Sequence, residues 1–138
     1  MGTISAPIRS RPHSAARDTT IDILFVIPPD ALLLDIAGPA EAFRLANLHR
    51  SRRGESARFR LRFAGPEPRV TTSVGMPIVE LEPLPQALKS PTWVIVVGQP
   101  AVVAAQSTPA IEEIERWLGR TMHKALAVRD TPHSRPIK

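Results

Sequence analysis

The sequence has 138 residues, 43% of them hydrophobic, and carries a net charge of +5 from 18 basic and 13 acidic side chains; that is material for about one domain with a real core. It contains no cysteine, which excludes disulfides, thiolate metal sites and cysteine nucleophiles. His13, His49, His123 and His133 are scattered without metal-ligand spacing, no apolar run is long enough to span a bilayer, and the arginine-bearing start lacks the apolar stretch of a secretory signal, so a soluble, cytoplasmic protein without metal or cofactor is expected.

Residues 1–19 are poor in apolar side chains and rich in Arg, Ser and Pro, the composition of a disordered leader. Residues 21–27 (IDILFVI) form a β-branched, aromatic run closed by Pro28 and Pro29, which predicts a buried strand. Residues 31–39 predict a loop and a helix start, with Pro39 in the first helical turn, where its missing N–H costs nothing. Ala40, Phe43, Leu45, Ala46 and Leu48 continue at helical spacing, and the helix should fade within the basic stretch 49–54. Residues 58–63 alternate strictly: Phe59, Leu61 and Phe63 on one side, Arg58, Arg60 and Arg62 on the other. That is a half-exposed strand whose arginines read as a solvated face. Residues 70–73 and 77–81 predict a hairpin around Val74, Gly75 and Met76, and 83–88 suit a single helical turn. Residues 93–97 (WVIVV) predict a second buried strand ended by Gly98, and Ile111, Ile114, Trp117 and Leu118 mark a helix from about 109 to 119. After Gly119 the periodicity disappears, and 121–138 read as a tail with neither strand nor helix.

Buried strands alternating with helices predict an α/β fold, a mostly parallel sheet with helices on both faces in the manner of a flavodoxin-like sandwich. Ligands gather beyond the carboxyl ends of such strands, here at 28–35 and 98–100. Asp35 therefore has two open roles: a turn or helix cap, the commoner use of the residue there, or a carboxylate for acid/base or nucleophile-activating work. Glu41 is either a site residue or a solvated acid of the first turn. Gly98, followed by Gln99 and Pro100, either ends a strand or lets a ligand approach free amides. Trp93 and Trp117 fall on periodic apolar faces and suit core or dimer packing. The basic excess is not interleaved with stacking aromatics, so direct DNA binding by this chain is not expected, nor is membrane association.

The stretch 23–47, ILFVIPPDALLLDIAGPAEAFRLAN, resembles the opening of the DJ-1/PfpI superfamily, also described as class I glutamine amidotransferase-like. It is most similar to the sensor-like domains of AraC-type transcription regulators and to the related isonitrile hydratases. Leu34-Asp35-Ile36-Ala37-Gly38-Pro39 and Glu41-Ala42-Phe43 carry the resemblance. Thr71-Thr72-Ser73-Val74-Gly75 resembles the family's small-residue excursion, and residues 93–100 resemble the strand that leads to its paired glycines. The resemblance covers residues 20–120 as the N-terminal part of such a domain. It implies a ligand-binding set of Asp35, Gly38, Glu41, Gly98 and Gln99, with Gln99 replacing the second glycine of the pair. The family's cysteine elbow falls after the helix ending near Gly119, where this chain has Ala125-Leu126-Ala127-Val128, which suggest the stub of a strand. The expectation is thus a truncated, non-catalytic sensor domain without its DNA-binding helix-turn-helix, a shift of reading frame near Arg120 accounting for the lost pattern. Its partners would be a small-molecule effector and a second copy or a homologue. The alternatives are an enzyme relative inactive without its cysteine, or a small interaction protein that pairs with a full-length homologue. A half domain buries a smaller share of its surface, so marginal folding is also expected.

Overall fold

The computed structural model describes residues 19–129. The sheet is built around β1 (Ile21–Val26), whose side chains are buried on both faces after Ile21. It is flanked by β2 (Phe59–Gly65) and by β6 (Thr92–Val96), both parallel to it, with Ile21 opposite Phe59 and Asp22 opposite Thr92. The short β5 (Glu82–Pro83) extends β2, again parallel, to give the order β5-β2-β1-β6. β3 (Val70–Thr71) and β4 (Pro77–Ile78) form a separate antiparallel hairpin, turned at Gly75 with φ +81°. The predicted parallel sheet, its helical cover and the hairpin are all present.

One face of the sheet packs on α1 (Leu33–Arg52) and the other on α3 (Pro109–Arg129). Period-two alternation decides which side chain goes where. Ile23, Phe25 and Ile27 join Phe59, Leu61, Phe63 and Ile95 beneath Ile36, Ala40 and Phe43 of α1. Leu24, Val26, Ala64 and Val94 meet Ile114 and Trp117 of α3. Phe25 stacks on the half-buried Phe63 at 5.1 Å between ring centres, and a fully buried side chain such as Phe25 stabilises the fold by about 1.5–3 kcal/mol. Asn47 fastens α1 to the amino end of β2: its Nδ2 donates to Phe59 O, and its Oδ1 accepts from Arg58 N and Phe59 N. The two tryptophans part company. Trp117 is buried and donates Nε1–H to Pro85 O at 2.7 Å, whereas Trp93 is 53% exposed and lies edge-on to Phe43.

Four expectations are corrected. α1 begins at Leu33, so Pro39 lies inside the helix and not in its first turn; Leu32 is the extended residue that precedes the helix, with φ −66° and ψ 112°. Residues 84–88 hold no helical turn, because Trp117 ties the Pro85 carbonyl to α3. A short helix, α2 (Ala101–Ala104), follows Pro100 instead. α3 runs past Gly119 to Arg129, so residues 121–129 are helical, neither a structureless tail nor the stub of a strand at 125–128. Thr121, Met122, Lys124 and Ala125 include good helix formers, and one glycine in a helix costs only about 1 kcal/mol relative to alanine. The leader at 1–18 and the tail at 130–138 lie outside the described residues. No helix among the described residues is long and apolar enough to cross a membrane.

The arginine face is also not simply solvated. Asp22, buried on β1, accepts from Arg60 Nε and Nη2 at 2.7 Å each, from Arg62 Nη1 at 3.3 Å and from Ser90 Oγ at 2.9 Å. Arg62 reaches Glu82 as well, at 3.0 Å. The Arg60 guanidinium, more than burial can oppose, lowers the Asp22 carboxyl from its ordinary 3.8 to about 2.

Candidate ligand site

The loop from β1 to α1 crosses the carboxyl end of the sheet, and four hydrogen bonds fix it. Leu32 N donates to Gly98 O at 2.9 Å and Gln99 Nε2 donates to Pro29 O at 2.7 Å, which joins the loop to the end of β6. Asp30 N donates to Thr71 O and Ser73 N to Ala31 O, which joins it to the hairpin. Asp30 adopts φ 58°, a left-handed conformation that aspartate tolerates better than most residues. A loop held from both sides delivers the first turn of α1 to a defined place.

That turn presents Asp35. A Cβ built on Gly98 would lie 2.7 Å from Asp35 Oδ2 and 3.4 Å from Leu32 Cδ1. Only glycine leaves the carboxylate room to lie against the strand end. The Asp35 side chain is exposed and has no hydrogen-bond or ion-pair partner among the described residues. It makes no cap bond, since the residue before the helix, Leu32, has no side-chain cap and directs its own N–H to Gly98. Pro39 has no N–H, so the Asp35 carbonyl also lacks its usual helical donor. Beside the carboxylate, the amides of Gly98 and Gln99 donate to no group among the described residues. An exposed carboxylate acceptor thus lies against a strand end whose next two amides have no acceptor among the described residues, groups of the kind that fix a small molecule carrying both a donor and an acceptor.

The remaining sequence-predicted residues are placed less centrally. Gln99 is beside the pair, but its amide nitrogen is engaged by Pro29 O. Gly38 lies on the exposed side of α1 with nothing within 4 Å of a built Cβ. Glu41 pairs with Arg44 at 2.6 Å on the surface, and the Arg44 guanidinium lowers its carboxyl. Six residues after Asp35, it sits about 9 Å further along the helix axis, so the structure does not bring it to Gly98. The sequence resemblance places Asp35, Gly98 and Gln99 in one set, but the direct approach of the Asp35 carboxylate to Gly98 is visible only in the structure. A glycine at a strand end opposite an acid at a helix start is the signal that joins them. Among the described residues no group of three or more His, Cys, Asp or Glu is placed to hold a metal ion.

No family model matches this sequence, and no curated protein matches it. Among solved structures, an AraC family transcriptional regulator from Pseudomonas putida is similar, with a TM-score of 0.56 and 20% identity over 72% of this chain. The chain covers 57% of that regulator's length. At that identity the likeness is one of fold: the α/β arrangement with a mostly parallel sheet is shared.

Proposed function

We propose that this chain is the ligand-sensing part of an AraC-type transcription regulator, of the DJ-1/PfpI-like kind, which binds a small-molecule effector without covalent chemistry. The observation that carries the reading is the seating of Asp35 against Gly98, with the two adjacent amides free. It joins the two segments, 34–39 and 93–100, in which the sequence resembles that superfamily. The shared fold with the Pseudomonas putida regulator supports a sensor over a free-standing enzyme. Enzymatic members of the superfamily depend on a cysteine thiolate, and this sequence has none. In this reading Asp35 orients a ligand through its donor, the Gly98 and Gln99 amides take its acceptor, and DNA contact belongs to a module outside 19–129. The protein acts in the cytoplasm, where such a regulator meets its genes.

The test pairs ligand binding with turnover. A panel of small amides and carboxylic acids should contain members that raise the melting temperature of the chain and fail to do so in Asp35→Ala. Disruption of the gene should change the transcript levels of a small set of genes. Isonitrile hydration or glyoxalase turnover abolished by Asp35→Ala would replace the sensor with an enzyme.

A second reading is favoured by β6. Among the described residues it pairs only with β1. Pro91 O and Val97 N are hydrogen-bonded toward β1, so the backbone groups of Thr92, Val94 and Val96 point to the open edge. Such an edge is a template for another strand, and the chain would then pair with a homologue or a second copy. Size-exclusion chromatography separates the two: a stable dimer fits the pairing reading, and a compact monomer counts against it.

A further inference from the structure

On the α3 side of the sheet, away from Asp35 and Gly98, lies a cavity of about 510 Å³. Its walls are the Gly65–Pro66 turn after β2, the segment after β5 with Leu84, and the Trp117, Arg120 and Lys124 side of α3. The size falls within the range of small-molecule sites, about 300–1,000 Å³. None of its lining residues belongs to the site described above, and the inference does not rest on the proposed function.

We propose that this cavity binds a small organic anion, its carboxylate or phosphate held by Arg120 and Lys124 and its apolar body laid on Pro83 and Leu84 over the narrow accessible edge of Trp117. Three features argue for it. First, the walls are fixed before any ligand arrives. Trp117 is buried, and its indole N–H is engaged by Pro85 O, which locks the ring to the facing segment. Gly65 runs so close to the loop after β1 that a Cβ there would lie 2.7 Å from Ile27 O. Second, Arg120 and Lys124 stand on successive turns of one helix face, about 6 Å apart along the axis. Unlike Arg60 and Arg62, neither has an ion-pair or side-chain hydrogen-bond partner among the described residues. Two unpaired cations at the mouth of a partly apolar hollow attract an anion, and arginine offers a fork that fits carboxylate or phosphate oxygens.

Third, the charge within the cavity is graded. Glu113 also lines it, two turns earlier on α3 and about 10 Å from Arg120 along the axis. Its carboxylate repels an anion at that end, so the ligand's charged group is directed to Arg120 and Lys124 and its body to Pro83 and Leu84. Gln86 and Thr121 add neutral hydrogen-bonding groups on opposite walls. An adjoining hollow of about 240 Å³ shares Gln86, Thr121 and Lys124 and continues with Ala87 and Leu88. Lys124 therefore stands between two hollows, and an apolar body has room in either.

Fluorescence tests the proposal on the full chain. Trp93→Phe leaves Trp117, one of the two tryptophans, as sole reporter. Titration with phenyl phosphate, phenylacetate and the neutral 2-phenylethanol should give a saturable change with the anions alone. Tighter phenyl phosphate assigns the site to phosphate esters, and tighter phenylacetate assigns it to carboxylic acids. Arg120→Gln and Lys124→Gln should each weaken the preferred anion about tenfold, as expected for one lost charged hydrogen bond. If Trp93→Phe does not fold, the melting temperature of the unaltered chain under the same three compounds replaces fluorescence. An equal response to 2-phenylethanol, no saturable response to either anion, or full affinity in a folded Arg120→Gln/Lys124→Gln double variant would each overturn it. Loss of anion binding in Asp35→Ala would move the anion to the other site, with the same consequence.

Discussion

Asp22 and Asp35 are the same side chain at opposite ends of the sheet, and the chain treats them in opposite ways. Asp22 is buried in the central strand and surrounded by donors from Arg60, Arg62 and Ser90. Asp35 is exposed at the carboxyl end, pressed against Gly98, with no donor among the described residues. A buried carboxylate must be satisfied or it destabilises the fold; an exposed one can stay without a protein partner because water solvates it. The difference separates a charge that holds the sheet together from one left available for binding, and it is what experiment should try to break.

The largest effect should come from Asp22→Ala, which strands two guanidinium groups and a hydroxyl. We expect a loss of about 2–3 kcal/mol in unfolding free energy, measured by urea denaturation; a loss below 0.5 kcal/mol would erase the contrast with Asp35. Acid should act next. The Asp22 carboxyl titrates at about 2 in the folded chain against an ordinary 3.8. Its folded value is depressed, so its contribution is full above pH 3.8 and disappears as the pH falls toward 2. That contribution is about 2 kcal/mol, and Asp22→Asn should flatten this part of the stability–pH curve.

The two close glycines extend the comparison. Gly65→Ala sets a Cβ against the Ile27 backbone carbonyl, which cannot swing away, and should cost about 1–3 kcal/mol. Gly98→Ala crowds the end of the exposed Asp35 side chain and meets Leu32 Cδ1 at an ordinary 3.4 Å, so stability should change by about 0.5 kcal/mol or less while the carboxylate is displaced. Equal melting temperatures for the two variants would contradict this assignment. Smallest of all, Asp35→Ala should leave thermal stability within about 0.5 kcal/mol of the parent, its effect confined to ligand binding.

The three long strands were legible from the apolar runs at 21–27 and 93–97 and the alternation at 58–63, which needed no knowledge of partners; the burial expected of 93–97 is corrected, since β6 is only half-buried, with Trp93 53% and Val96 48% exposed. What was not legible depends on partners. The arginines of β2 read as solvated because the acid they hold lies 38 residues earlier, hidden within an otherwise apolar strand. Pro39 and Gly119 were read by their usual positions at helix ends, yet packing of Ile36, Ala40 and Phe43, and of Ile114 and Trp117, carries both helices past them. Asp35 and Gly98 were each recognised from local sequence, but their contact is a property of the sheet, and the Asp22 cluster and the anion cavity lie equally beyond any local pattern.

The central place of β1 has a consequence for how the chain is made. β1 is the first described strand to leave the ribosome, yet it is flanked on one side by β2 and on the other by β6, whose Thr92 lies opposite Asp22. Its most apolar residues cannot be enclosed until the chain has been synthesised beyond Val96, and α3 is needed to cover the second face. Long sequence separation between paired strands slows folding and prolongs exposure of unpaired edges. The residues that end most deeply buried are therefore those that wait longest in water, and production of this protein should be limited by chaperone supply during synthesis.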